Sequence, residues 1–455
     1  MNFNTLEFLL LFLPATLAAF HVAPKSARLW VLVAASLIFY GVSGPIVLAA
    51  FVFAVAWGFF TAFLFGRAPK ALATAIAVIG PLFFLVMFKY LNFILDTAGA
   101  DAHARSFFWA FLSITLPAGI SFYTFELVSY SIDVADKKIE REKSFIRFSA
   151  FATFFPHLIA GPIMRYRDLR AQLVALETAA KLRPNWVGGF KFLSIGLFAK
   201  VFFADLSGIA IDRAQDVALA ERTAPDLIAQ IGFWSLQIYY DFWAYSIMAI
   251  GLARFFCIEL PVNFREPYLS PNPREFWRRW HVTLSYWLRD YLYIKLGGNQ
   301  AYVRNIIFVF AIVGLWHGAG WNFVIWGLYH AALVVTYHFT RPLWDKLPRV
   351  AATALTFVLV SLGWPLFFLN IQDYAALLAH LVAAPWGGAH VYNRIDWIYL
   401  VAVLAFTFFA REKYWLHNEA SAPNWLADSP ILLGTLAFAG LTFISLSRTF
   451  IYFRF

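Results

Sequence analysis

Two histidines, His317 and His281, have the residue type and setting to do chemistry in an otherwise apolar sequence. His317 stands in Gly314-Leu-Trp-His-Gly-Ala-Gly-Trp-Asn-Phe-Val-Ile-Trp-Gly-Leu-Tyr-His330, flanked by Trp316 and Trp321. Gly314, Gly318 and Gly320 thin the backbone around it, so that backbone or substrate can come close. A neutral imidazole is the usual general base at physiological pH, able to take the proton of a hydroxyl. At membrane depth it costs free energy unless it is paired or lines a wet cavity, which makes it a functional-site candidate. His281 lies in Arg274-Glu-Phe-Trp-Arg-Arg-Trp-His-Val-Thr-Leu-Ser-Tyr-Trp-Leu-Arg-Asp290, where a solvated or capping role is equally open to it.

The other histidines call for less. His21, His103, His380, His390 and His417 fall in expected loops or at span ends, and His338 near a helix end. His330 reads as a satisfied core histidine. His157, in Phe154-Phe-Pro-His-Leu-Ile-Ala-Gly-Pro162, is open to binding or to packing. Candidates to line a substrate tunnel are Trp316, Trp321, Asn322, Asp241, Tyr245, Arg289, Asp290, Ser285 and His157. Asp241 and Asp290 sit in strongly aromatic contexts, where either orients a histidine or pairs with Arg289 or a neighbouring arginine. Pairing is the favoured reading.

Several chemistries lack their residues. There is no HExxH, no His/Cys cluster at metal spacing, no GxSxG and no Walker loop, so no metal or bound cofactor is expected. The single cysteine, Cys257, excludes a disulfide framework and a CxxC redox motif.

The elements that position these residues must be membrane helices. The chain has 455 residues, 61% hydrophobic and 14% charged, with a mean hydropathy of +0.67. Soluble proteins average roughly 45–50% apolar and about 25% charged residues. Apolar runs of about 20 residues recur along the whole length, so the expectation is one all-α polytopic domain over residues 1–455. The net charge of +10 sits in short loops, where it reports orientation rather than nucleic-acid binding. The first run, Leu6 to Phe20, lacks a basic n-region and a cleavage site and reads as a retained helix with the N-terminus outside.

Residues 29–66, broken by Gly41-Val-Ser-Gly-Pro45, read as a helical hairpin. Spans are expected at 71–95, 107–132, 187–204 and 229–253, with an acidic outer loop holding Asp205, Asp212, Asp216, Glu221 and Asp226. Residues 148–163 are short between basic flanks, which suits a re-entrant segment over a cavity, the alternative being a short tilted span. Trp277, Trp280, Leu284, Trp287 and Leu288 share one face of an amphipathic helix over 274–290, with His281 and Ser285 stacked four apart. Residues 302–316 and 321–339 enter and leave on one face with Trp316–Gly320 at the apex. Spans at 350–369, 394–410 and 431–447 bring the total to about eleven.

These stretches also carry a likeness. Leu116-Pro-Ala-Gly-Ile-Ser-Phe-Tyr-Thr-Phe125, Ser131-Ile-Asp-Val134, Phe155-Pro-His-Leu-Ile-Ala-Gly-Pro-Ile163 and Asn263-Phe-Arg-Glu-Pro-Tyr-Leu269 are joined by Glu275-Phe-Trp-Arg-Arg-Trp-His281, Trp287 to Gly298, Leu315 to Phe323 and Phe450-Ile-Tyr-Phe-Arg-Phe455. Together, in order over nearly the whole chain, they resemble the membrane-bound O-acyltransferase (MBOAT) family, in its bacterial AlgI/DltB-like branch. The resemblance implies a ring of tilted helices around a tunnel, His317 as the catalytic residue and His281 as the second signature position. It also implies a thioester donor (acetyl-CoA or an acyl-carrier protein) from the cytoplasm, and a polysaccharide or acceptor-protein hydroxyl from outside. A periplasmic SGNH-type partner and the bacterial inner membrane complete the picture. Asp241-Phe-Trp-Ala-Tyr-Ser-Ile247 departs from the alginate-type Asp-Phe-Ser-Gly-Tyr-Ser-Asp at Trp243 and Ile247, so the likeness leaves the acceptor open.

The expected function is therefore transfer of an acetyl group to an extracytoplasmic hydroxyl, with His317 as general base and His281 positioning a substrate or steadying the oxyanion. DltB-like transfer of another acyl group from a carrier protein is one alternative. A transporter or flippase is another; it predicts paired intramembrane acids and an internal repeat, and neither is legible. A non-catalytic scaffold would not need the histidine motifs.

Overall fold

The computed structural model describes residues 1–108, 116–388, 390–410 and 429–451. His417, the His103 side chain, part of the 107–132 span and the last four residues of the C-terminal motif lie outside the described residues. Among the described residues the named elements are all helical. Six helices among the described residues are long and apolar enough to cross a membrane: Pro45–Leu64, Lys70–Thr97, Trp186–Gln215, Gly298–His317, Trp321–Trp344 and Arg349–Phe367. Shorter apolar helices are Glu7–Val22, Arg28–Gly41, Ile371–Ala383 and Pro430–Thr442. This is a multi-pass helical membrane protein. It packs as two compact units, residues 1–193 with 246–261 and residues 194–245 with 262–455.

In the first unit, the 29–66 region is two helices, Arg28–Gly41 and Pro45–Thr61. Gly44, at φ +113°, turns the chain where a side chain would be strained, and Pro45 starts the second helix with its φ already set. Residues 148–163 are broken, as their length suggests. A helix Phe145–Thr153, capped by Ser144, stops at Phe154, and a single turn Phe155–Leu158 follows.

His157 in that turn has a close neighbour at each ring nitrogen. Its Nε2 lies 3.1 Å from the Phe151 carbonyl and its Nδ1 3.0 Å from Glu126 Oε1. The Met164 N–H donates to the same Glu126 oxygen at 2.9 Å, tying the irregular backbone after the turn to the helix Ile120–Ala135. Both side chains are buried. Removing one partner strands the other, so Glu126→Leu is expected to destabilise the protein by about 3–5 kcal/mol. Unfolding in detergent measured against wild type checks this.

In the second unit, two expectations are corrected. Asp205 and Asp212 are helical, within the single helix Trp186–Gln215, and Asp226 lies in the first turn of Ala224–Phe255. The helix runs on because Lys200 and Asp205, five apart across a π-turn, pair with each other inside the protein and offset the burial of charge.

The amphipathic helix over 274–290 is not continuous either. Pro273–Arg279 ends at an extended Trp280, His281 takes the left-handed conformation at φ +43°, and Val282–Leu288 begins anew. Tertiary hydrogen bonds replace the helical ones: the Val282 N–H donates to the Asn263 carbonyl (2.9 Å), and the Arg265 N–H to the Arg279 carbonyl (3.0 Å). The helix Ile371–Ala383, capped by Asn370, was not expected.

The hairpin Tyr302–His317 and Trp321–Trp344 does form, on small residues. A Cβ at Gly314 would lie 2.2 Å from the Phe323 carbonyl oxygen, and one at Gly327 2.1 Å from that of Phe310. Only glycine lets the two backbones approach so closely.

Candidate active site

His317 is the last residue of its helix, 2% exposed. Its ring meets Trp316 (4.9 Å between centroids), Trp326 (5.0 Å) and Phe367 (5.2 Å) at steep angles. Trp321, expected as a flank, is 53% exposed instead, because it starts the next helix beyond the Gly318–Gly320 turn. Asn322 donates to the Leu366 carbonyl at 2.8 Å, which ties that turn to the end of the Arg349–Phe367 segment carrying Phe367.

His281 is also buried, and Trp316 joins the two imidazoles, its ring 5.7 Å from that of His281. Non-glycine residues at φ above zero are uncommon and cluster where the surroundings over-determine them. Here the determinant is Asn263. Its Oδ1 lies 2.9 Å from His281 Nδ1, 3.0 Å from Thr283 Oγ1 and 3.4 Å from the Thr283 amide nitrogen. A backbone N–H only donates, so the oxygen of Asn263 faces this group and His281 carries its proton on Nδ1. The lone pair is on Nε2.

Burial lowers the His281 pKa from 6.5 to about 3. The unfolded chain therefore takes up this proton near pH 6.5, while the folded one resists it down to about 3. The stability contributed by neutral His281 is complete above pH 6.5 and is lost as pH falls towards 3. His281→Gln should flatten that part of the acid-unfolding curve, and thermal unfolding across the window checks it.

A cavity of about 260 Å³ has both histidines in its wall. Its lining runs from buried His281, His317, Leu284 and Val313 to exposed Arg274, Arg278 and Arg289. A wider hollow of about 860 Å³ shares Trp277, Arg278, Ser285 and Arg289 with it and adds Arg265, Glu266, Glu275 and Arg279. The site is thus reached from a basic basin, in which Glu275 pairs with Arg279 (3.0 Å) and Asp290 with Arg289 (2.6 Å). Ser285 Oγ donates to the Trp277 carbonyl at 3.1 Å.

Asp241 and Tyr245 do not line this cavity. Asp241 faces Lys200 at 2.9 Å, not an arginine, and Tyr245 packs on Phe450. His157 belongs to the first unit. His330 is fully buried among the rings of Trp277, Trp326 and Trp364; neither nitrogen has a hydrogen bond among the described residues. Sequence reasoning did not single out Asn263, the residue that sets the His281 tautomer, although Asn263-Phe-Arg-Glu-Pro-Tyr was a visible motif. It also passed over Lys89, a lysine inside the span Lys70–Thr97 within reach of Ser121 Oγ (3.2 Å), which the cost of intramembrane charge should have flagged.

The sequence model of the membrane-bound O-acyltransferase family matches residues 70–372, which include both histidines. A probable alginate O-acetylase AlgI of Pseudomonas syringae pv. tomato is 37% identical over 382 residues, covering 81% of this chain and 72% of that protein. A peptidoglycan O-acetyltransferase of Helicobacter pylori is 34% identical over 409 residues, covering 80% and 76%. A teichoic acid D-alanyltransferase of Bacillus subtilis is 29% identical over 292 residues, covering 57% and 73%. With two buried imidazoles at the end of a cavity and relatives of this kind across most of its length, the chain belongs to the membrane-bound O-acyltransferase family and is an O-acyltransferase.

Proposed function

We propose that this enzyme moves an acetyl group from a cytoplasmic thioester, acetyl-CoA or an acyl-carrier protein, to a polysaccharide hydroxyl outside the inner membrane. The N-terminus is then outside, and transfer is direct or by way of a periplasmic SGNH-type partner. The observation that carries the reading is the cavity joining exposed arginines to His317 and His281. Guanidinium groups suit the phosphates of coenzyme A or of a phosphopantetheine arm, and the apolar wall suits the arm itself. Alginate, peptidoglycan and teichoic acid appear in the relatives' names, and all offer hydroxyls.

In this mechanism His317 takes the hydroxyl proton as the oxygen attacks the thioester carbonyl. The C–O bond forms, the C–S bond breaks, and the proton passes to the leaving thiolate. The Nδ1 proton of His281 is held by Asn263, so Nε2 receives a hydrogen bond rather than giving one. In this tautomer His281 orients a donor amide or the attacking hydroxyl, and steadying of the oxyanion falls to other groups.

The test is purified protein with labelled acetyl-CoA and a soluble polysaccharide. Thiol release and labelled ester should appear together, and Arg278→Ala with Arg289→Ala should raise KM for acetyl-CoA about tenfold, since the two guanidinium groups are exposed and such charge pairs contribute about 0.2–1 kcal/mol each. If label passes only from a carrier protein, the donor is of the alanyl-transfer type. If neither donor is consumed by folded protein, the reading fails.

A further inference from the structure

Lys200, Asp205 and Asp241 form a cluster at most 2% exposed. One ammonium stands between two carboxyls, paired with Asp205 and 2.9 Å from Asp241. Apolar side chains would fill such a place at lower cost, so its polarity asks for a reason. Both carboxyls also receive the C-terminal segment: Ser447 Oγ donates to Asp205 Oδ2 at 3.0 Å, and the Ile451 N–H to Asp241 Oδ2 at 2.7 Å. Between them Arg448 pairs with Asp212 and passes over Gly208, where a Cβ would lie 2.6 Å from its guanidinium. Three anchors in five residues hold Phe450, which is 0% exposed.

The grip leads to the site. Asp241, Phe242 and Tyr245 are one, three and four apart on the helix Ala224–Phe255, with the last two within one turn of each other. The Phe450 ring lies 4.4 Å from Tyr245 and 6.0 Å from Phe242, and Phe242 stands edge-on to the His281 imidazole at 4.6 Å and 89°. Phe242 is thus a support of His281 besides Trp316 and Asn263, and the C-terminal segment backs it. We propose that Ser447–Ile451, locked by the Lys200–Asp205–Asp241 cluster, is a positioning element of the active site, setting the His281 ring through Phe242. This rests on the reading of His281 given above.

The experiment uses the full chain, purified in detergent, as wild type, Phe450→Ala, Ile451→Pro (which deletes the donor to Asp241) and Phe450→Leu. It reads kcat and KM with acetyl-CoA, and separately the rate at which diethyl pyrocarbonate modifies His281, followed by mass spectrometry. Phe450→Ala and Ile451→Pro should lower kcat about tenfold or more with KM nearly unchanged, as misplacement of a reacting group does. His281 should be modified faster in both, and Phe450→Leu should recover most of the loss. Folded variants that keep wild-type kcat and wild-type His281 modification overturn the proposal. So does a Phe450→Leu protein as impaired as Phe450→Ala, because the effect is then not the apolar backing. If wild type consumes no acetyl-CoA, the reading of function has failed, and the modification rates alone decide the role of the segment.

Discussion

Replacing His317 by alanine is expected to slow acyl transfer by about 10²–10⁴-fold, the usual contribution of a positioned general base. The protein should still fold and insert, because His317 closes a cavity wall instead of filling a sealed core. Its neighbours Trp326 and Phe367 keep each other in place, their rings meeting at 4.8 Å. His317→Gln, which fills more of the gap, should fold equally well and be just as slow. Labelled ester formation, set beside thermal unfolding of the same samples, makes the measurement. An alanine variant that still O-acylates would remove His317 from the chemistry.

The second large effect belongs to a residue remote from the His317 motif in sequence. Asn263→Leu should reduce kcat by about 10²-fold, since the proton on His281 Nδ1 then loses its acceptor and the ring its fixed tautomer and direction. His281→Ala should cost at least as much as Asn263→Leu, while staying below His317→Ala in severity. The decisive measurement is the double variant. If Asn263 acts through His281, Asn263→Leu adds little to His281→Ala, and the two losses are far from additive. Additive losses would mean that Asn263 only holds the backbone.

Much of this was legible because lipid imposes a simple rule: apolar length and breaker residues decide where a helix runs. The Gly41–Pro45 break, the Phe154 break and the Gly318–Gly320 apex all lie where local residues place them. The composition dictated a multi-pass helical protein, and the family motifs pointed to the class of enzyme and to the residue to test, His317. Those are local or cumulative properties, carried by single segments.

What only the tertiary structure decided depends on groups far apart in the chain. A wheel over 274–290 stacks His281 on Ser285, yet the helix breaks at His281, where the Val282 N–H donates to the Asn263 carbonyl and the Arg265 N–H to that of Arg279. Asp205 reads as a loop acid until Lys200 and Asp241 come alongside it. Trp321 reads as a wall of the site, while Trp326 and Phe367 take that place. In each case a polar or aromatic group had several acceptable settings locally, and a partner that local pattern does not reveal selected one. Hydropathy registers the cost of burying a charge or an imidazole, but not the neighbour that offsets it.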